Sequence, residues 1–75
     1  MPTITDQEIE VIDNNFTYHA PKGDQADRYG MIRGNAKLLA FLITDKCPAS
    51  RERILAITKL EEAVFWANAA IARNE

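Results

Sequence analysis

The sequence predicts an all-α protein in which a short N-terminal helix precedes an antiparallel two-helix hairpin. Two observations predict the hairpin. Apolar residues step by three and four along two long segments, and a tight turn containing Pro48 joins those segments. Short connections make neighbouring helices antiparallel. A chain of 75 residues has room for a single domain of this kind, which covers residues 1–75.

The first helix is predicted over about residues 4–14. Thr5 and Glu8 have the spacing of a capping box, in which each side chain bonds to the other residue's backbone amide. Ile9 and Ile12 follow at helical spacing. We therefore expect a short helix with one apolar side.

Residues 15–24 are predicted to form a loop. Pro21 disfavours a helical conformation for the residue before it, and Gly23 can adopt a positive φ. This loop concentrates aromatic rings next to a cation, namely Phe16, Tyr18 and His19 beside Lys22.

The second helix is predicted over residues 25–46, with Asp24 able to cap it and Pro48 beyond its end. Gly30 and Gly34 are costly inside a helix, so something is expected to approach the backbone there: a neighbouring helix in the favoured reading, a ligand in the other. Its apolar stripe consists of Tyr29, Ile32, Ala36, Leu39 and Ile43.

The third helix is predicted over about residues 50–73, capped by Ser50. Its stripe consists of Ile57, Leu60, Val64, Ala67 and Ile71. Further apolar residues fall outside both stripes, and a two-helix hairpin has no other core in which to bury them. We expect these off-stripe residues to form contacts between subunits: Leu38, Phe41, Leu42, Ile54, Phe65 and Trp66.

Chain length and composition also favour a homo-oligomer. A domain this small buries too little surface to be more than marginally stable, and the usual remedies are disulfides, a metal or association. Cys47 is the only cysteine and His19 the only histidine, so neither an internal disulfide nor a structural zinc site can form. We expect no metal and no cofactor.

The net charge of −2 conceals an uneven distribution. Residues 1–15 carry four acids and no base, residues 16–60 carry eight bases against four acids, and residues 61–75 carry three acids against one base. A basic centre between acidic ends suits a compact anion better than duplex DNA. The first residues lack a secretory signal and no apolar run could span a bilayer, so we expect a soluble, cytosolic protein that does not bind membranes.

The candidate functional residues suggest binding and no catalysis. Rings that stack on bases, interleaved with cations that neutralise phosphates, are what a nucleotide ligand requires. In the competing interpretation, Phe16 and Tyr18 pin the first helix onto the hairpin and Lys22 is solvated. Asn68 and Thr58 are further polar candidates on the third helix, with surface exposure as the alternative for Thr58. The rings and cations that together suit a nucleotide ligand are Phe16, Tyr18, His19, Lys22, Arg28 and Tyr29.

Three segments together resemble the hairpin domain shared by two groups of phage counter-defence proteins. One group is the anti-CBASS sponges for cyclic oligonucleotides, and the other is the anti-Thoeris sponges for cyclic ADP-ribose isomers. The resemblance covers about residues 15–75. It is carried by Tyr18-His19-Ala20-Pro21-Lys22-Gly23-Asp24-Gln25, by Cys47-Pro48-Ala49-Ser50-Arg51-Glu52, and by the run Thr58-Lys59-Leu60-Glu61-Glu62-Ala63-Val64-Phe65-Trp66-Ala67-Asn68-Ala69-Ala70-Ile71-Ala72-Arg73-Asn74.

The resemblance implies a homohexamer that binds cyclic dinucleotides and cyclic trinucleotides in separate pockets, within the cytoplasm of the infected bacterial host. It maps base stacking onto Tyr18 and phosphate binding onto Lys22. An anion-binding arginine is also implied, and the sequence does not choose among Arg28, Arg33, Arg51 and Arg73. The alternatives are a sponge for cyclic ADP-ribose isomers, an oligomeric helical adaptor and a nucleic-acid-binding module. The acidic first segment disfavours binding of linear nucleic acid.

Overall fold

A computed structural model describes residues 3–75, which form three α-helices and no strand. Helix α1 covers Asp6–Asn15, α2 covers Gln25–Lys46 and α3 covers Arg51–Asn74. The expected starts of α1 and α3, at residues 4 and 50, lie outside the observed helices. The reason is that Thr5 and Ser50 have extended backbone and cap the helices that follow them.

The side-chain caps of α1 and α3 are confirmed, whereas Asp24 takes the N-cap position of α2 without a side-chain hydrogen bond to the helix amides. Thr5 and Glu8 form the full capping box, and the Ser50 Oγ accepts from the Arg53 backbone amide at 3.1 Å. The Asp24 carboxylate instead accepts from the Arg28 Nε at 3.2 Å, so it turns away from the helix amides.

Helices α2 and α3 pack against each other, and residues of both apolar stripes line one open groove. At one end of the pair, the Arg53 Nη1 donates to the backbone carbonyls of Thr44 and Cys47, at 3.1 Å each. At the other end, side chains of the first turn of α2 bond to Glu75, just beyond α3. The stripe residues are half-buried except for Leu39, which is exposed.

Residues 3–75 do not enclose a hydrophobic core. Among residues 3–75, the only buried side chain is that of Gln25, which is 4 % exposed. The radius of gyration is 16.9 Å, against about 11 Å for a compact domain of this length. The accessible surface is 6175 Å², against about 4,700 Å² expected for a folded monomer of this mass. All six off-stripe residues are exposed.

Helix α1 is joined to the long helices by polar contacts at its end. The Asn14 Nδ2 donates to the Arg73 carbonyl at 2.9 Å. The interpretation in which Phe16 and Tyr18 pin α1 onto the hairpin is wrong, because the two rings are 86 % and 83 % exposed. These aromatic rings are therefore free to contact another molecule.

No contact within the described part of the chain, residues 3–75, requires the two glycines inside α2. A Cβ added at Gly34 would have no neighbour within 4 Å, and one at Gly30 would lie 3.7 Å from the Arg33 side chain. No helix of the described residues approaches them, and the expected approach of a neighbouring helix from another subunit, or of a ligand, stays a prediction. Gly23 does need its flexibility, since its φ is 56°.

A search of residues 3–75 for a helix long and apolar enough to cross a membrane finds none.

Candidate functional site

An open cavity of about 490 Å³ lies between the loop after α1, the first half of α2 and the last turns of α3. The loop contributes two rings, α2 contributes a ring and a cation, and α3 contributes an amide and a second cation. The polar and aromatic side chains of its wall are those of Asn15, Thr17, Tyr18, His19, Tyr29, Arg33, Asn68 and Arg73.

A relay of hydrogen bonds fixes the ring-bearing loop in place. The His19 Nε2 donates to the Asn14 carbonyl at 2.8 Å, and the Asn14 side chain donates in turn to the Arg73 carbonyl. The loop is thereby tied to the end of α1 and to the last turn of α3. Tyr18, one residue before His19, is left with its ring exposed at the cavity.

The cavity wall is cationic. Arg33 and Arg73 line it, and its lining residues include no aspartate or glutamate. Every ion pair found among residues 3–75 involves other side chains. Two guanidinium groups are thus available to an anion that enters the cavity, and guanidinium binds phosphate oxygens in a bidentate manner.

Asn68 has an unmet hydrogen-bonding requirement in the cavity wall. Its Oδ1 is buried and has no partner among residues 3–75. An unsatisfied buried acceptor costs about 1–3 kcal/mol. Such a group is expected to accept a hydrogen bond from a ligand or from another subunit.

A second group of side chains converges on Glu75, beside the cavity. The Arg28 guanidinium binds the Glu75 carboxylate with both Nη atoms, and the Gln25 Nε2 donates to it at 3.1 Å. The Lys22 Nζ donates to the Glu75 main-chain oxygen at 3.1 Å. We call these four residues the Glu75 clamp.

Hydrogen bonding within the clamp changes the proton affinity of its members. The side-chain hydrogen bond from Arg28, followed by that from Gln25, lowers the pKa of the Glu75 carboxyl to about 2. The same bond to Glu75 raises the pKa of Arg28 above its ordinary value. The clamp therefore favours an ionised oxyanion at the Glu75 position.

The structure brings together half of the site residues expected from the sequence. Tyr18, His19, Arg33, Asn68 and Arg73 line the cavity. Lys22 and Arg28 lie in the Glu75 clamp instead, and the exposed Phe16 is not part of the cavity wall.

Two further expected site residues lie far from the cavity. Arg51 is the first residue of α3, and the Thr58 hydroxyl donates to the Ile54 carbonyl at 3.0 Å. At the rise of an α-helix, Thr58 is about 22 Å and Arg51 about 33 Å from Arg73. These two residues cannot contribute to the same pocket within one chain.

The sequence did not indicate the roles of Asn15, Gln25 or Glu75. The sequence predicts Asn15 only as the start of a loop, whereas it is the last residue of α1 and lines the cavity. Gln25 and Glu75 are separated by 50 residues, and no periodicity connects them. A hint existed in the spacing of Lys22 and Gln25, since the Gln25 Oε1 accepts from the Lys22 amide as in a capping box.

A second cleft of about 420 Å³ shares Arg33 and Asn68 with the first cavity. Its wall is mainly apolar, with Lys37 and Glu61 as the other charged residues. No group of His, Cys, Asp and Glu side chains within residues 3–75 could hold a metal ion.

Comparison with known proteins identifies the family. The family model described as the Acb2/Tad1 hairpin domain matches residues 8–72, which is most of the chain. No curated protein and no solved structure matches the chain. The matched segment contains the loop, all of α2, α3 as far as residue 72, and every residue of the cavity wall except Arg73. The chain therefore belongs to the Acb2/Tad1 hairpin-domain family.

Proposed function

We propose that this protein is a non-catalytic sponge that binds cyclic dinucleotides and cyclic trinucleotides and keeps them from their receptors. Membership of the family implies a sponge-type function for cyclic nucleotides. The observation that carries the proposal is the cavity in which three rings and two arginines meet without any carboxylate.

The size and chemistry of the cavity suit such a ligand. Small-molecule sites typically enclose about 300–1,000 Å³, and the cavity falls within that range. Tyr18 and Tyr29 offer faces for base stacking, which contributes about 1–3 kcal/mol per base. Arg33 and Arg73 offer donors for phosphate oxygens.

The proposal includes a homo-oligomer, which we take to be a hexamer of antiparallel hairpins. The contacts of Arg28 and Arg53 at opposite ends of α2 and α3 support the antiparallel arrangement. The exposed off-stripe residues and the excess accessible surface support association. The hexamer itself rests on the family resemblance.

Association would also close the binding site. The cavity is open on one side, and the Tyr18 ring is largely exposed. A ligand shielded from water between two subunits would gain more from the arginines than one bound to an open surface. The apolar second cleft, Thr58 and Arg51 would then be available to a separate trinucleotide site.

Sequestration requires no chemical step. A sponge acts by mass action, so its sites must outnumber the messenger and bind more tightly than the receptor does. We propose that the protein works in the cytoplasm of the infected bacterial host, needs no cofactor and leaves its ligands intact.

Native mass spectrometry of the protein with a panel of cyclic dinucleotides, cyclic trinucleotides and cyclic ADP-ribose isomers tests the proposal. We expect a hexamer that retains intact cyclic nucleotides. Retention of cyclic ADP-ribose isomers alone would favour the anti-Thoeris type of sponge. An oligomer that retains none of these ligands would contradict the sponge function and favour an adaptor. Salt-sensitive binding of linear DNA would favour a nucleic-acid-binding module.

A further inference from the structure

The Glu75 clamp has the donor arrangement of an oxyanion site. Arg28 presents a planar fork, which binds carboxylate and phosphate oxygens in the same bidentate manner. Its Nη1 lies 2.7 Å from the Glu75 Oε2, while its Nε is bonded to Asp24. Gln25 adds a third donor from a buried position. These donors are held in place before any ligand binds.

Both chain segments that carry the clamp residues also contribute residues to the cavity wall. Pro21 lines the cavity and the next residue is Lys22, whereas Arg73 lines it two residues before Glu75. The cavity wall contains no acidic residue, and the Glu75 carboxylate, like that of Asp24, is bound by Arg28 outside that wall. An anionic ligand in the cavity would therefore lie next to cations that are already engaged.

The clamp is accessible to solvent. The side chains of Arg28 and Glu75 are 35 % and 39 % exposed. Lys22 is exposed and bonded to the main-chain oxygen of Glu75 by a single hydrogen bond. An incoming oxyanion can reach these donors without unfolding either long helix.

We propose that Glu75 is an internal competitor for the ligand: its carboxylate occupies the oxyanion position formed by Arg28 and Gln25, and a phosphate group displaces it while recruiting Lys22. This inference rests on the proposed function for the identity of the natural ligand, but the clamp chemistry applies to any phosphate oxyanion. Displacement of Glu75 makes the apparent affinity lower than the donors alone would allow.

Calorimetric titration of the full chain with inorganic pyrophosphate, and separately with a cyclic dinucleotide, tests the proposal. Glu75→Gln retains the shape and an acceptor oxygen but removes the competing charge. We expect it to bind pyrophosphate about fivefold more tightly than the unaltered protein. Glu62→Gln is the matched control, since Glu62 lies on α3, the helix that Glu75 directly follows, and is bonded to Lys59. We expect the control to leave the affinity unchanged.

The outcomes separate the two proposals. Equal or weaker binding of pyrophosphate by Glu75→Gln overturns the competitor role and makes Glu75 a residue that positions the loop. Tighter pyrophosphate binding without any cyclic nucleotide binding supports the competitor role and contradicts the sponge. Cyclic nucleotide binding that Glu75→Gln does not strengthen supports the sponge and contradicts the competitor.

A second measurement uses the unaltered protein and so does not depend on the folding of a variant. In nuclear magnetic resonance spectra of the unaltered protein, saturating pyrophosphate should shift the side-chain amide signals of Gln25, because its partner Glu75 departs. The side-chain amide of Asn35, which donates to the Met31 carbonyl at 2.8 Å, is the internal control. Saturation without a change in the Gln25 signals would overturn the proposal.

Discussion

Side chains at the cavity end of the molecule find partners within the described chain, whereas the off-stripe residues of α2 and α3 do not. At the cavity end, Asn14, Gln25 and Arg28 find their partners within the same chain. Along the long helices, Phe41 and Trp66 are exposed and have no core to enter. One region is organised by directional bonds, and the other lacks a partner surface.

This difference indicates that recognition and assembly can be altered independently. A polar network within one chain holds the loop without help from a second copy, although a second copy would close the cavity. Exposed apolar surface stabilises the protein only when another surface covers it. Variants at the cavity end should therefore change ligand binding, and off-stripe variants should change assembly.

The largest expected effect concerns assembly. Phe41→Asp places a charge where we expect buried apolar contact. The protein concentration at which the oligomer dissociates should therefore rise at least about a hundredfold. Size-exclusion chromatography with light scattering would show the change. Val11→Asp is the control, since Val11 is an exposed aliphatic residue of α1. An oligomer that survives Phe41→Asp would mean that the off-stripe residues do not form the interface.

The second prediction concerns base stacking. Tyr18→Ala should weaken cyclic dinucleotide binding about tenfold through loss of a stacking surface, and the oligomer should remain intact. Tyr18→Phe keeps the ring and should bind nearly as the unaltered protein does. Calorimetry would measure both. Unchanged affinity in the alanine variant would mean that Tyr18 does not contact the base.

The third prediction concerns the cation next to the loop. Lys22→Ala should weaken cyclic dinucleotide binding by about fivefold to tenfold, because one charge-assisted contact to phosphate is lost. Lys46→Ala removes an equal charge from the far end of α2 and should have no effect. Should both variants bind equally well in calorimetry, phosphate binding would have to be assigned to the arginines alone.

The fourth prediction separates binding from stability at Asn68. Asn68→Leu should raise the free energy of unfolding by about 1 kcal/mol, since it removes an unsatisfied buried acceptor, while ligand binding weakens. Urea denaturation would measure the gain. Asn35→Leu is the control, because the Asn35 amide already has a partner. Destabilisation by Asn68→Leu would indicate that a second subunit satisfies the Asn68 oxygen.

The smallest expected effect is a pH dependence of the Glu75 clamp. In the folded state the pKa of the Glu75 carboxyl is about 2, below its ordinary value of 4.5. The clamp therefore stabilises the fold fully above about pH 4.5, and that contribution is lost as the pH falls toward 2. Glu75→Gln should lack this part of the acid dependence of Tm, and Glu62→Gln should retain it. Solvent exposure keeps the effect small.

The sequence predicted most of the fold because the responsible signals are local. The capping box at Thr5, the cap at Ser50 and the stripe spacing on α2 and α3 each depend on residues within a few positions of one another. The Asp24 side chain does not bond to the amides of α2 because Arg28, one turn away, offers its carboxylate a charged partner. Local propensity gives no measure of that competition.

The candidate site was predictable only in part. Tyr18 and His19 were recognised because rings and a lysine stand close together in the sequence. The share that could not be predicted depends on pairs far apart in the chain, such as Arg28 with Glu75 and Asn14 with Arg73. Such pairs form only when the end of α1 and the first turn of α2 come to lie beside the end of α3.

The sequence by itself determined the helical class, the side-chain caps of α1 and α3, the surplus of apolar residues and the family. These properties follow from short-range spacing, composition and the order of residues, which need no coordinates. The tertiary structure decided which cations remain free in the cavity and which are held by Glu75. Electrostatic and hydrogen-bonding partners are chosen by distance in space, and the packing of α2 on α3 sets those distances.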